Sequence, residues 1–432
     1  MASLLLLWGR RCLGGLALLL AAGPTRAAAQ RLATLTVTLA RPTGGLAIPL
    51  STSLDALTLL PDSALQLVEV RGGARTVVPL QVERRPERVL HWLALAGPAP
   101  THTYELRQVP ARPRPAPAAV QVADEQGGLV LQAGGRPLLR YNYRPVYPPP
   151  GIDTAYKRSG FIHPLWSPHG QELTRIQAPD HYHHYGLWAP WTHVLFEGDT
   201  VDFWNLADRK GTVRFAGVLA TSAGPVYGGY QVLQAHVAFP RGRPEKTALR
   251  EVQAVRVYHP AGPDAYLADL SIELSCASAS PVRLLAYRYG GLGWRATAAW
   301  NQANSEVLTS AGKTRHDADG TTARWCLVQG QLGAGDYGGV LLLAFPTNYN
   351  YPEPLRIWPD NMNGRGDVFA NFSPTKTKDW LLLPGQTYAL RYRLLVYNGR
   401  CTAQQAENAW QYFAHPPAVV VRVAGQRGAA TF

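Results

Sequence analysis

The chain has 432 residues with 46% apolar and 10% aromatic content, enough to bury a large core, and this excludes a disordered protein. Glycine (41) and proline (35) are frequent and charged residues make up only 16%, so short strands and turns are favoured over helical bundles, coiled coils and solenoids. The formal net charge is +13. The basic residues are nevertheless scattered, with no Lys/Arg block and no nucleic-acid motif, so no nucleic-acid partner is predicted.

The first 29 residues have the features of a secretory signal peptide. Arg10 and Arg11 precede an apolar run over residues 13–22, and three alanines ending at Ala29 form a small-residue cleavage site. The run is too short to cross a bilayer, and no later segment reaches 18 uninterrupted apolar residues. We therefore predict an exported protein without a transmembrane span, periplasmic or extracellular after cleavage near Ala29.

Residues 30–109 are predicted to form a small β-sandwich. Residues 34–39 alternate threonine with leucine or valine, as in a half-buried strand, and further short β-prone runs follow between Gly and Pro turns. Residues 110–118 are rich in proline, which removes ladder donors and favours extended chain. This stretch is predicted to be a linker between two domains.

Residues 119–432 are predicted to form a large antiparallel sandwich of two sheets, with a galactose-mutarotase-like supersandwich as one option. Residues 266–274 and 388–396 alternate apolar and polar side chains, as in strands with one wet face. One late helix is predicted after Thr402, which has the spacing of a capping box with Gln405. The predicted fold class is therefore all-β with a single late helix.

Three cysteines remain after cleavage of the signal peptide: Cys276, Cys326 and Cys401. They have neither CxxC nor Cys/His metal spacing, and three thiols allow at most one disulfide. A core of this size is stable without disulfide bonds, so we predict buried free thiols.

A segment rich in histidine and tryptophan, residues 161–204, is the predicted functional centre. Histidine titrates near neutral pH and is the commonest general acid or base, and carboxylates orient imidazoles. The alternative is that these histidines are hydrogen-bonded packing groups. The predicted catalytic residues are His163, His181, His183, His184 and Asp202.

The same segment suggests a metal site. If the chain around His181 is extended, His181 and His183 project to one face and His184 to the other. A third ligand would have to come from elsewhere, and the predicted set is His181, His183 and His193, with His163, Asp180 or Asp202 as alternatives. A divalent metal is thus the cofactor that the residues suggest.

Aromatic side chains indicate a carbohydrate ligand, because sugar rings stack on aromatic faces while their hydroxyls seek polar groups. Trp188, Trp191, Trp204 and Arg295 are the predicted substrate-binding residues, and core packing is the alternative for the tryptophans. The chain lacks a phosphate loop, a Gly-x-Ser-x-Gly elbow and a dinucleotide fingerprint. Arg365-Gly366-Asp367 is interpreted as a turn and not as an adhesion motif, because Arg and Gly are frequent here.

Several strings resemble motifs of an exported bacterial family of unknown function, many of whose members are labelled methane oxygenase PmoA. They are GFIHPL at 160–165, DHYHHYGLW at 180–188 and VDFW at 201–204, and the similarity covers about residues 120–400. Tyr182 and Tyr185 stand where proline and arginine are common. The resemblance implies an exported β-sandwich protein of bacteria that degrade plant or algal glycans. It does not imply a membrane monooxygenase, since no segment after the signal peptide spans a membrane.

Three functions follow from these observations. The first is an exported carbohydrate-active enzyme, a hydrolase, lyase or epimerase-like protein, in which a histidine takes a proton and an arginine or second histidine stabilises negative charge. The second is a non-catalytic glycan-binding protein. The third is a copper or other metal oxidoreductase, which requires three converging ligands.

Overall fold

The computed structural model describes residues 30–84, 86–95, 100–111, 117–333, 335–425 and 430–431. The predicted signal peptide and most of the predicted linker lie outside the described residues. Strands β1–β7 are Arg31–Thr38, Ile48–Ser53, Leu65–Arg71, Ala74–Val78, Gln81–Arg84, Arg88–Ala94 and Thr101–Gln108. Strands β8–β16 are Val120–Glu125, Gly128–Ala133, Arg136–Asn142, Phe161–Leu165, Ile176–Ala178, His181–Tyr185, Leu187–Trp188, Val194–Phe196 and Asp199–Val201.

The second half of the chain continues the β pattern. Strands β17–β23 are Gly211–Ser222, Tyr227–Ala238, Lys246–Tyr258, Ala265–Cys276, Val282–Leu284, Gly293–Arg295 and Ser305–Thr309. Strands β24–β29 are Trp325–Gln331, Tyr337–Ala344, Leu355–Ile357, Phe369–Phe372, Trp380–Leu382 and Thr387–Asn398. Helix α1 (Ala403–Ala414) precedes β30 (Val419–Val423) and β31 (Ala430–Thr431), and single 3-10 turns occur at Asp62–Ala64, Thr154–Tyr156, Leu206–Asp208 and Met362–Gly364. The prediction of an all-β protein with one late helix is confirmed.

Two sheets form the N-terminal unit, a six-stranded sheet in the order β31-β30-β1-β7-β3-β4 and a three-stranded sheet in the order β2-β6-β5. Their apolar faces share one core that includes Leu35, Trp92 and Leu106. The end of the chain also belongs to this unit, because β30 pairs with β1 and places Val421 opposite Leu35. The sequence alone places this last strand in the large sandwich, and the structure differs. The reason is that local periodicity does not indicate which sheet a strand joins.

Two eight-stranded antiparallel sheets form the large sandwich. The front sheet has the order β26-β27-β22-β14-β11-β10-β9-β8, and the back sheet has the order β17-β18-β19-β20-β29-β25-β24-β23. The main core lies between them and contains Tyr266, Leu270 and Ile272 of β20, the inward members of the alternation read from the sequence. Smaller sheets, β12-β13 and β16-β15-β21-β28, flank the sandwich.

Strand alternation in the front sheet separates the main core from a second apolar layer on the outer face. Ile162, Leu187, Trp294 and Ala370 are paired in register across four neighbouring strands and all lie in the main core. Their neighbours in sequence point the other way because successive strand residues alternate faces. Phe161, Trp188 and Phe369 therefore belong to a separate outer cluster, on which β12 and β13 lie.

Helix α1 begins with the predicted capping box. The Thr402 hydroxyl accepts a hydrogen bond from the Gln405 backbone N–H at 3.3 Å, and the Gln405 side chain accepts from the Thr402 N–H at 2.8 Å. Trp410 and Phe413 pack in a core on the outer face of the back sheet, together with Leu341. In the described part of the chain no helix has the length and apolar content that crossing a bilayer requires. Cys276, Cys326 and Cys401 are free thiols, as predicted; Cys326 and Cys401 are buried, whereas Cys276 is half-buried.

Candidate functional site

Three histidines of strand β13 converge on the outer face of the front sheet. One ligand nitrogen from each of His181, His183 and His184 lies within 4.8 Å of the other two. The ring centroids are 4.7 to 5.3 Å apart. His181 and His183 are half-buried, whereas His184 is 1% exposed. We call this group the histidine cluster.

The histidine cluster forms because β13 does not alternate strictly. Ala178 pairs with His181 and Ile176 pairs with Tyr185, so one residue of β12 stands opposite three residues of β13. The extra residues make a bulge, which bends the strand and re-aims its side chains. The prediction that His184 points away from His181 and His183 is therefore corrected: the three rings meet on one side.

Asp180 orients His181, and Arg295 in turn holds Asp180. The Asp180 carboxylate accepts a hydrogen bond from Nδ1 of His181 at 2.7 Å, which leaves Nε2 of that ring free as a ligand or base. Arg295, 1% exposed, donates to Asp180 at 3.1 Å and to Asp367 at 2.8 Å. Burial alone would raise the pKa of Asp180, but the bond with His181 and the charge of Arg295 hold that pKa well below its usual range. Arg295 thus lies beside the histidine cluster, and its predicted role in substrate binding stays a prediction.

An aromatic floor lies beneath the histidine cluster. The ring of His184 lies 5.0 Å from that of Phe369, 5.2 Å from Trp188 and 5.4 Å from Trp358. Trp188 and Trp204 are each 1% exposed. Neither indole can present its face to a sugar at this exposure, so both tryptophans support the histidines from below. This is a packing position and not the sugar-stacking position that sequence analysis predicted for them.

Burial keeps two of the imidazoles neutral. Desolvation is the main cause that lowers the pKa of His183 to about 3, and the neighbouring His181 imidazole adds to it. Desolvation and the adjacent histidines likewise lower the pKa of His184 well below its usual value. The buried Nδ1 of His184 has no hydrogen-bond partner among the described residues. Both rings therefore offer lone pairs at neutral pH.

These features fit a divalent transition metal. Around a tetrahedral ion with metal–nitrogen bonds of about 2.1 Å, two ligand nitrogens lie about 3.4 Å apart. Nitrogens within 4.8 Å of one another can reach that spacing by small side-chain rotations. An unpartnered buried imidazole nitrogen is costly unless a ligand satisfies it, and neutral imidazole is a common ligand of zinc and copper.

Two predicted histidines lie outside the histidine cluster. His193, the predicted third metal ligand, packs its ring against Tyr287 at 4.0 Å, and His184 takes its place in the cluster. His163 shares a hydrogen bond of 2.9 Å with the Thr174 hydroxyl, and burial lowers its pKa to about 4. His163 lies 18 residues before β13 and His193 lies eight residues after it, and the fold directs both rings elsewhere.

Asp202 and Trp191 have structural positions. The Asp202 carboxylate accepts hydrogen bonds from the backbone N–H groups of Trp204 at 2.7 Å and Asn205 at 2.8 Å, so it caps a turn. Trp191 is 1% exposed, belongs to the main core and packs edge-on against Trp380. The contacts of Asp202 and Trp191 do not favour the catalytic and substrate-binding roles that sequence analysis assigned them.

Sequence analysis missed two members of the site. Trp358 lies 4.8 Å from His181 and stacks under the Arg295 guanidinium at 4.5 Å. Asp367, 5% exposed, is the second carboxylate on Arg295. It ends the Arg365–Asp367 tripeptide that was interpreted as a turn. Its sequence signal was indirect: Arg295 ends the short buried strand β22 and requires a buried counter-ion, but the spacing does not identify that ion.

Comparison with known families gives a clear assignment. The model of a family of unknown function, DUF6807, matches residues 128–411. The chain belongs to this family. The match contains the whole histidine cluster together with Arg295, Trp358 and Asp367, so the site lies within the DUF6807 region. Membership of a family of unknown function agrees with the predicted resemblance, whereas the methane oxygenase label stays a prediction.

Known structures add little to the DUF6807 assignment. Heparan sulfate lyase HepC from Pedobacter heparinus is 9% identical with a TM-score of 0.30, and the alignment covers 75% of this chain and 43% of the lyase. A heparinase III gene product gives 9% identity, a TM-score of 0.28 and coverages of 75% and 43%. The Slr1438 protein from Synechocystis gives 8% identity, a TM-score of 0.19 and coverages of 67% and 99%. The chain spans less than half the length of the two lyases, and at these scores the likeness carries no argument about activity. No curated protein matches the sequence.

Proposed function

We propose that this protein is an exported enzyme acting on carbohydrate, with its catalytic centre at the histidine cluster and a divalent metal bound by His181, His183 and His184. One observation carries the proposal: three imidazoles converge to within 4.8 Å, and the buried one keeps an unpartnered nitrogen. A structural role alone would leave that nitrogen unsatisfied, at a cost of about 1–3 kcal/mol.

The residues around the histidine cluster suit such a centre. A metal held by imidazoles supplies Lewis acidity and lowers the pKa of bound water. Asp180 fixes the tautomer of His181, and Arg295 in turn fixes Asp180. The aromatic floor limits water from below and restrains the ring of His184. A site of this kind would activate a water for a hydrolase, or stabilise negative charge while a base removes a C–H proton in a lyase or epimerase-like reaction.

Two observations support carbohydrate as the ligand class: the tyrosines at the rim of the site and the predicted signal peptide. Tyr156 and Tyr182 are half-exposed, and their rings lie 5.6 Å apart beside β13. Half-exposed tyrosines offer both an aromatic face and a hydroxyl, which suit sugar rings better than the buried tryptophans do. The signal-peptide features of the first 29 residues support export to a compartment where polymeric glycans are found.

A metal-free site is the second candidate, and the hydrogen bond of 2.7 Å between Asp180 and His181 favours it. A carboxylate-oriented imidazole is a general base without any metal, and the same groups could serve binding alone. Copper would instead favour the oxidoreductase, because neutral imidazoles also suit that ion. The identity of the bound metal therefore separates these functions.

The test combines metal analysis with a glycan screen on purified mature protein. We expect about one equivalent of a transition metal in the wild type and less than a tenth of that in His183→Ala. The control His193→Ala removes a neighbouring histidine that lies outside the cluster, and we expect full metal content. Turnover of a glycan that chelation abolishes and metal restores supports the enzyme. Turnover insensitive to chelation supports the metal-free candidate, and a metal-free protein that neither binds nor cleaves any glycan refutes the proposal.

A further inference from the structure

A second cleft lies at the edge of the sandwich, apart from the histidine cluster. It has a volume of about 710 Å³ and lies between the segment after β10, the 3-10 turn Leu206–Asp208 and the edge strand β17. This volume is in the range of small-ligand sites. No carboxylate lines the cleft among the described residues. Five basic side chains line it: Arg144, Lys157, Arg158, Arg209 and Arg214.

Arg158 is the unusual member of this set. It is 2% exposed, and among the described residues its guanidinium has one hydrogen bond, from Nη1 to the carbonyl of Phe203 at 3.1 Å. Its Nε is buried without a partner among the described residues. Burial lowers the pKa of Arg158 to about 10, which still leaves it charged at neutral pH. A buried cation without a bonded anion is expensive, so the guanidinium is poised for a negatively charged partner.

The carboxylates nearest to Arg158 are already engaged. Asp202 and Glu251 contribute to the field at Arg158, yet neither forms an ion pair with it in the described part of the chain. Asp202 caps the turn at Trp204, and Glu251 accepts hydrogen bonds from Gln234 at 2.9 Å and from His236 at 2.8 Å. Among the described residues, negative charge therefore lies near Arg158, but no carboxylate contacts its guanidinium directly.

Two of the four basic side chains at the rim of the cleft are paired with carboxylates and two are not. Arg209 and Arg214 are paired with Asp153 and Glu245, respectively. Arg144 and Lys157 are exposed and have no carboxylate partner among the described residues. In the described part of the chain, three cations that line the cleft, one buried and two at the rim, therefore have no paired carboxylate.

We propose that this cleft binds an oxyanion, a carboxylate or sulfate group carried by the ligand, with Arg158 as the buried anchor and Arg144 and Lys157 at the rim. Planar guanidinium groups bind both kinds of oxyanion with paired hydrogen bonds. The apolar side chains of Leu206, Val213 and Phe215 line the same cleft and suit the body of an organic ligand. If the protein acts on carbohydrate, the substrate is then an acidic sugar, a step that rests on the proposed function.

The wall of the cleft is linked to the histidine cluster by two short chains of residue contacts. Arg158 bonds the carbonyl of Phe203, and the next residue, Trp204, packs its ring 6.2 Å from that of His184. Tyr185, next to His184 in β13, donates a hydrogen bond to the carbonyl of Tyr156, two residues before Arg158. Tyr185 and Trp204 are 0% and 1% exposed, so these contacts link the two sites through the protein interior.

Calorimetric titration of the full mature protein with glucuronate, inorganic sulfate and glucose tests the proposal. We expect saturable binding of glucuronate or sulfate and at least tenfold weaker binding of glucose, the neutral counterpart of glucuronate. Arg144→Ala combined with Lys157→Ala should weaken anion binding at least fivefold and reduce its salt dependence. The control, Arg136→Ala combined with Arg250→Ala, removes two exposed arginines that do not line the cleft, and we expect affinity within twofold of wild type.

Arg158→Met should abolish measurable anion binding while the far-ultraviolet circular dichroism stays that of the wild type. If this variant does not fold, the rim variant decides the question. The proposal is overturned if neither anion binds, if glucose binds as tightly as glucuronate, or if the rim variant keeps wild-type affinity. Metal content measured on the same samples reports separately on the histidine cluster, so failure of one proposal is distinguishable from failure of the other.

Discussion

Asp180 is the residue on which the order of the histidine cluster depends. Its carboxylate bonds Nδ1 of His181, forms an ion pair with Arg295 at 2.9 Å and accepts from Asn363 at 2.8 Å. None of these partners is a neighbour in the chain apart from His181. One side chain thus ties the β13 hairpin to strand β22 and to the 3-10 turn Met362–Gly364, so we treat Asp180 as a positioning residue.

Asp180→Asn should weaken metal affinity by about 10- to 100-fold, because the amide neither matches the charge of Arg295 nor holds His181 as strongly. Competition with a chromogenic chelator measures the change. Asp199→Asn is the control, since it removes an exposed carboxylate that pairs with Arg243 away from the site. Equal metal affinity of Asp180→Asn and wild type would contradict the positioning role.

The hairpin of β12 and β13 is the element that presents the histidine cluster. Gly186, which follows β13, has a φ of +61°, and a Cβ at this position would lie 2.4 Å from the carbonyl oxygen of Ile162. Any larger residue would push β13 off the front sheet. Glycine at this position therefore allows close contact between the hairpin and β11.

Gly186→Ala should destabilise the protein by about 1 kcal/mol more than Gly198→Ala and should also lower metal affinity. Gly198 is the matched control because it too has a positive φ, +87°, while its Cβ would meet nothing within 4 Å. Urea unfolding and metal competition measure the two effects. If the two variants behave alike, the close contact with Ile162 does not restrain the hairpin.

Strand β30 links the end of the chain to the N-terminal sheet. Val421 is 2% exposed and faces the N-terminal core, whereas Val420 on the same strand is half-buried. Val421→Asp should cost about 3 kcal/mol, because it buries an unpaired charge, and Val420→Asp should cost about 1 kcal/mol or less. Guanidinium unfolding followed by tryptophan fluorescence reports both, since Trp92 lies in the same core. Equal losses would show that β30 does not close this core.

At the scale of the whole molecule, one buried carboxyl makes stability depend on pH. Glu353 is 0% exposed, and its oxygens accept hydrogen bonds from Asn348 at 2.6 Å and Tyr392 at 2.8 Å. Burial raises the pKa of Glu353 to about 8 from its usual 4.5. Between these two values the unfolded chain has released a proton that the folded protein retains. The free energy of unfolding therefore falls as pH rises through this window.

Glu353→Gln is neutral at every pH and lacks this decline. We expect the melting temperature of wild type, relative to Glu353→Gln, to fall steadily from pH 5 to pH 8. Glu273→Gln, at an exposed position of β20, serves as the control and should follow the wild-type profile. A difference between wild type and Glu353→Gln that does not change with pH would show that Glu353 is ionised in the folded protein.

The sequence by itself determined the elements whose signals are local. Alternation predicted β20 and β29, the capping box predicted the start of α1, and residue clustering singled out residues 161–204, which include β13, as the candidate functional centre. Only the tertiary structure decided which side chains meet. The bulge of β13 brings His184 to His181, and Asp367 contacts Arg295 from 72 residues away in the chain. Trp191 packs in the main core, whereas Trp358 lies beside the histidine cluster. Periodicity assigns a side chain to one face of its own strand. It contains no information on which distant strand covers that face, because pairing between sheets depends on packing of the whole chain.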